Sequence, residues 1–144
     1  MKKLLYGLII GLALCGLAQA QKPKIVTAAQ ANGTYTGRSG EIKILTLGGH
    51  KLKMQFDLFY EYKSPQGPSA NTGTALGEAD IENDVATFSP EAGENCTITI
   101  KFLAGNKIKV TQDGSDSDCG FGHNVTADGT YRKTKSGKPK FDEN

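Results

Sequence analysis

Four carboxylates, a thiol, an imidazole and an amide crowd one glycine-spaced stretch, DGSDSDCGFGHNVTADGTY, from Asp113 to Tyr131. Asp113, Asp116 and Asp118 could ligate a hard cation, and Cys119 with His123 a softer one. His123 beside an aspartate could also move a proton. A calcium loop of the helix-loop-helix kind sets oxygen ligands at alternate positions, glycine at the sixth and glutamate at the twelfth. Counted from Asp113, those two positions hold Asp118 and Asn124; counted from Asp116, the sixth is Phe121. Neither register fits, and no helix flanks the stretch. A looser, weak calcium site on Asp113, Asp116 and Asp118 stays open. A solvated polar turn, which Asp, Ser and Gly favour, is the simpler reading.

Zinc chemistry needs ligands that are free to coordinate, three of them at a catalytic centre. The chain has two histidines, His50 and His123, and His50 in LGGHK reads as a hairpin-turn residue. No Gly-x-Ser-x-Gly elbow and no phosphate-binding glycine loop occurs. A glycosidase-type carboxylate pair has no local mark among the scattered acids. The expectation is therefore a protein without catalytic residues, metal or cofactor, in which the stretch serves as a binding loop. Its contact residues would be Asp113, Asp116, Asp118, Phe121, His123 and Asn124.

What positions that loop begins with where the chain works. MKKLLYGLIIGLALCGLAQA combines Lys2 and Lys3, a run of apolar residues and a small-x-small end at Ala18–Ala20. A spanning helix needs roughly 20 apolar residues, so residues 1–20 read as an export signal cleaved near Ala20. The alternative is a lipoprotein anchored at Cys15, although Leu14 is larger than lipoprotein processing prefers. The short leader looks bacterial, which makes the destination the periplasm or the extracellular space. No other stretch is long and apolar enough to span a membrane. Lys2 and Lys3 leave with the leader, so the remaining 15 basic residues balance 15 acidic ones and give no electrostatic case for nucleic acid. Two cysteines remain, Cys96 and Cys119, and an oxidising compartment favours joining them.

The elements that would carry the loop are strands. In KLKMQFDLFYEY, Leu52, Met54, Phe56, Leu58, Tyr60 and Tyr62 alternate with mostly polar neighbours, and a period of two marks a half-buried strand. NCTITIKF and KIKV repeat the pattern. Pairing Phe102 with Ile108 and Ile100 with Val110 leaves Ala104, Gly105 and Asn106 as a three-residue turn, which wants Gly or Asn in left-handed positions. A two-residue turn would set Phe102 beside Lys109 and expose half the pattern. In all, about eight strands are expected, at 33–39, 41–47, 51–62, 72–81, 85–89, 95–102, 107–112 and 125–134. Ser64–Asn71, with Pro65 and Pro68, reads as a loop.

Short connections favour an antiparallel up-and-down meander, and closing it into a barrel removes the exposed edges. GTYTG at 33–37 and GTYRK at 129–133 would be the closing strands; a two-sheet β-sandwich is the alternative. The domain would span 33–134, after an N-terminal extension at 21–32 and before a charged, frayed tail at 135–144. Small Ala75, Gly77 and Ala79 would offset large neighbours, giving a filled interior with Phe121 plugging one end. Should the barrel be open instead, Tyr35, Tyr60, Tyr62 and Tyr131 would line the mouth of a small-ligand, calycin-like carrier.

The run CGFGHNVTADGTYRK, with the earlier Cys96 and the Gly-x-Tyr strand at 33–37, resembles a motif of small exported proteins of Gram-negative bacteria. In these a Cys-Gly-Phe-Gly turn leads to a strand ending Gly-x-Tyr, and some are loosely linked to lysozyme-inhibitor-like proteins. The resemblance implies an envelope protein that binds another protein, with a cell-wall hydrolase as the partner. No lysozyme-inhibitor motif maps onto the chain residue by residue. The expected contacts are the Asp113–Asn124 loop and the Ser64–Asn71 loop, because function gathers on scaffolded loops.

Overall fold

The structure, a computed structural model, describes residues 25–142. The expected leader at 1–20, with Cys15, lies outside the described residues, as do 21–24 of the extension and 143–144 of the tail.

Eight antiparallel strands close a barrel in sequence order: β1 (Gly33–Gly37), β2 (Gly40–Gly48), β3 (Lys51–Ser64), β4 (Gly67–Glu82), β5 (Val85–Phe88), β6 (Thr97–Leu103), β7 (Lys107–Asp113) and β8 (Gly129–Ser136). β1 pairs with β8, so the meander closes on itself and the sandwich alternative falls. Alternation dictates the interior. Leu52, Met54, Phe56 and Leu58 of β3 are buried, as are Ile98, Ile100 and Phe102 of β6 and Ile108 and Val110 of β7. Each large side chain taken from water stabilises by about 1.5–3 kcal/mol. The Phe56 and Phe88 rings meet at 4.9 Å, and Gly77 stands where a Cβ would approach the Phe88 ring to 3.2 Å. The interior is packed.

The β6–β7 turn follows the expected register: Phe102 faces Ile108, Ile100 faces Val110, and Leu103 faces Lys107. Gly105 and Asn106 take φ of 75° and 56°, the left-handed positions this turn requires.

The repeated Gly-Thr-Tyr has a structural cause that extends one step upstream. Ala31-Asn32-Gly33-Thr34-Tyr35 and Ala127-Asp128-Gly129-Thr130-Tyr131 are two copies of one device at the seam. In each copy the tyrosine is buried and its hydroxyl donates to the alanine carbonyl four residues earlier, at 2.9 Å for Tyr35 and 3.0 Å for Tyr131. Gly33 and Gly129 turn the backbone at φ of 150° and 154°, which side chains rarely allow. A buried hydroxyl must find a partner, and the sharp turn brings its own carbonyl back to it.

Four segments differ from the sequence reading. Ser64–Asn71 is not a loop: β3 and β4 run on as a two-stranded arm joined by Pro65-Gln66, with Lys63 facing Pro68 and Tyr60 facing Asn71. The last strand begins at Gly129, not at Val125, because Val125–Asp128 belongs to the loop that feeds the tyrosine device. The extension contains a helical turn, α1 (Ala28–Ala31), closed by a capping box between Thr27 and Gln30. The tail is docked instead of frayed. Its Asp142 carboxylate accepts from Lys43 Nζ at 2.7 Å and Gln55 Nε2 at 2.8 Å, and Lys53 lies over the Phe141 ring. That strap buries Gln55 on the outer wall of β3.

Candidate functional site

The site is built where the β7–β8 connection meets the β3–β4 arm. Cys96, just before β6, is bonded to Cys119, so the connection is tied back to the barrel. Between the two cysteines the segment folds on itself. Ser115 N and Oγ both donate to Asp118 Oδ2, at 3.0 and 2.7 Å, and Asp118 N donates back to Ser115 Oγ at 3.1 Å. The amide of Ser117 and that of Asn124, eight residues beyond Asp116, donate to the Asp116 carboxylate. Backbone bonds from Cys119 to Ser115 and from Phe121 to the Asp116 carbonyl complete a tight knot.

These contacts decide what the acids are for. The Asn124 amide, the Ser117 amide and then His123 hold the Asp116 carboxyl below the usual carboxylate range. The Ser115 hydroxyl and amide do the same for Asp118. Both carboxylates face amides of their own loop. Among the described residues no group of three His, Cys, Asp or Glu side chains converges as a metal site. His123 Nδ1 lies 3.6 Å from Asp116 Oδ2, and its ring is 82% exposed. The imidazole of this pair stands open to water, while the Asp116 carboxylate is taken up by the Ser117 and Asn124 amides.

Phe121 anchors the loop. It is buried, and its ring fills the space over Gly73 of β4, where a Cβ would come within 2.7 Å of it. Gly122 N donates to Thr72 O at 3.0 Å, and Asn71 Nδ2 donates to His123 O at 2.7 Å. The two segments singled out from the sequence are therefore one surface. The stapled loop docks against the outer edge of β4 through these two bonds and the Phe121 ring.

The second half of the connection is pinned from β7. Asp128 accepts from Gln112 N at 2.7 Å, while Gln112 Oε1 accepts from Ala127 N at 2.8 Å. Between this segment, the β1–β2 turn and the arm lies a cleft of about 540 Å³ lined by Arg38, Phe59, Tyr60, Glu61, Asn124 and Asp128 among others. The arm itself carries three large apolar side chains in solvent, Phe59, Tyr60 and Tyr62, each about 40% exposed. Sequence reasoning missed Arg38 as a neighbour of the loop, because only closure of the barrel brings the β1–β2 turn beside it.

The four tyrosines expected at one mouth do not share one. Tyr35 and Tyr131 are core residues with satisfied hydroxyls; burial pushes Tyr35 up and Tyr131 up to about 12, the latter tempered by a hydrogen bond with Ser39. Tyr60 and Tyr62 keep the parity of Leu58, but β3 has outrun its β2 ladder there, so that face no longer looks into the barrel. Of the expected loop residues, Asp113, Asp118, His123 and Asn124 are exposed, Asp116 is half-buried and Phe121 is inside. Among the described residues no helix is long and apolar enough to cross a membrane. No protein family, curated protein or solved structure matches the chain.

Proposed function

We propose that the chain is an exported envelope protein that acts by binding another protein, as an inhibitor of a cell-wall hydrolase such as lysozyme, and not by catalysis. One observation carries the reading: a polar loop is made rigid by a disulfide, by its own carboxylate–amide bonds and by an aromatic anchor, and it is fused to an arm bearing exposed aromatics. Preorganised loops lose little entropy on binding, and aromatic side chains beside polar groups are what protein contact surfaces concentrate. The carrier alternative has less support, since the barrel is filled by side chains; a small ligand would have to lie in the outer cleft, whose size falls within the usual range for ligand pockets. The test is a pull-down from envelope extract with muramidase inhibition measured alongside. Inhibition by the wild type, weakened by Arg38→Glu and by Tyr60→Ala, is the expected result. A wild type that retains no protein and leaves muramidase at full rate would reject the reading.

A further inference from the structure

Past Leu58, β3 has a strand on one side only. Its ladder with β2 ends at the Gly40–Leu58 pair, and Phe59 then donates its N–H to Ser39 O at 2.8 Å. That bond sets the parity. Phe59, Glu61 and Lys63 turn their N–H and C=O groups toward the β2 side, and Tyr60, Tyr62 and Ser64 turn theirs toward β4. Among the described residues, Glu61 and Lys63 thus present backbone donors and acceptors that no strand meets. The arm's other edge is guarded. Pro68 stands at an outward position, where its missing N–H removes nothing from the ladder, and Thr72 O is taken by Gly122 N. Proline is a common device for blunting an edge, and the β3 edge carries none between Phe59 and Ser64.

We infer that this edge pairs with the same edge of a second copy of the chain, antiparallel about a two-fold axis through Tyr62. A two-fold seam requires a self-complementary sequence, and Phe59-Tyr60-Glu61-Tyr62-Lys63-Ser64 is one in a single register. With the axis at Tyr62, Glu61 faces Lys63 of the second copy on both sides of the axis. With the axis at Glu61 two glutamates would oppose, and with it at Lys63 two lysines would, and like charges directly opposite destabilise a strand pair. Backbone parity agrees with the charge. Glu61 and Lys63 are the residues whose N–H and C=O face outward, so each Glu61–Lys63 pair exchanges both backbone bonds. Tyr62 meets its counterpart in the closer, non-hydrogen-bonded position, where cross-strand aromatic pairs gain most. The pairing would cover Tyr60 and Tyr62, which leave about 40% of their surface in water in the single chain. It leaves the stapled loop free but covers Tyr60, which the proposed inhibition also uses, so the two contacts would compete for the arm; self-association of the chain alone reads the pairing without any hydrolase.

Sedimentation velocity on the purified chain, over a concentration series up to about 1 mM, reads the association, since a short edge supports a weak dimer. A concentration-dependent dimer is expected, with the Glu61 and Lys63 amides slowed in hydrogen exchange as it forms. Glu61→Lys and Lys63→Glu should each weaken the dimer by on the order of tenfold or more, because each turns two attractive pairs into repulsive ones. An equimolar mixture of the two variants should recover it, as lysines of one chain then face glutamates of the other. Both side chains are exposed, and far-UV circular dichroism checks that each variant keeps the barrel. A chain that stays monomeric throughout, a dimer indifferent to Glu61→Lys, or a mixture that fails to reassociate overturns the inference.

Discussion

Removing the Cys96–Cys119 bridge should cost stability by an amount that depends on whether Phe121 is still in place. The bridged positions are 23 residues apart, and closing a loop of that length in the unfolded chain corresponds to about 3 kcal/mol. In a domain of this size each kcal/mol moves the midpoint by roughly 4 °C, so Cys96→Ala/Cys119→Ala should melt about 12 °C lower. Phe121→Ala opens a cavity over Gly73 and should cost about 3–4 kcal/mol by itself. The two effects act on one docked unit. Once the bridge is gone, losing Phe121 lets the loop lift from Thr72 and Asn71 while the barrel stays folded. The combined variant should therefore cost at least about 1 kcal/mol less than the sum. Urea unfolding of the four proteins, followed by near- and far-UV circular dichroism, measures the cycle. Additivity within about 0.5 kcal/mol would refute the idea that bridge and anchor hold a single element.

The remaining predictions address titration, the tyrosine device and the strap. Asp116 has a folded pKa below its unfolded value, so its contribution is present above the unfolded value of about 4 and is lost as pH falls through the depressed one. Loop amides such as that of Asn124 should lose exchange protection in that acid window, and Asp116→Asn should remove the dependence. Tyr131 is raised instead, so its contribution is complete below about pH 10 and fades as pH climbs toward about 12. Tyr131→Phe should cost about 1 kcal/mol at neutral pH and reduce the alkaline loss, as read from urea midpoints at several pH values. Deleting residues 137–144 should leave the barrel folded while exposing Gln55. Asp142→Ala should lower the urea midpoint only slightly, with the difference shrinking in high salt, because the Lys43–Asp142 pair is largely solvated on the acid side.

Alternation made the barrel wall legible, since a half-buried strand has a period of two whatever its partner, and the turn Ala104-Gly105-Asn106 set one register outright. The cysteine pair could be read because the expected oxidising compartment favours joining the two cysteines, a bond the structure contains. The turn at Ala28–Ala31 left a mark, Thr27 with Gln30 three residues on, but four residues are too few for a helical stripe. Harder to read was everything that depends on which neighbour a strand keeps. Two prolines in SPQGPSA read as a loop, yet Pro68 sits at an outward-facing edge position, where the missing N–H costs nothing. Tyr60 and Tyr62 share the parity of Leu58, and only the end of the β2 ladder takes them out of the interior.

Gln55 shows the same limit from the opposite face. By parity it points away from the core, and a polar residue there asks for no explanation, yet it is only 5% exposed. Its cover comes from Asp142, 87 residues away, which accepts from its amide nitrogen and donates a backbone N–H to its amide oxygen. A buried amide with its donors and acceptor satisfied is a specific clip, in contrast to the polar wall that alternation alone describes. The tail at 135–144, expected to fray, belongs instead to a segment held against β2 and β3. Lys138 and Lys140 line a cleft there with Glu41 and Lys43. Loop, arm and strap each join segments distant in sequence through a few side chains, Phe121, Asn71 and Asp142 among them. The barrel can be inferred from repeated pattern, but its outer surface rests on such sparse long-range contacts, and only a register and a closed topology reveal which residues make them.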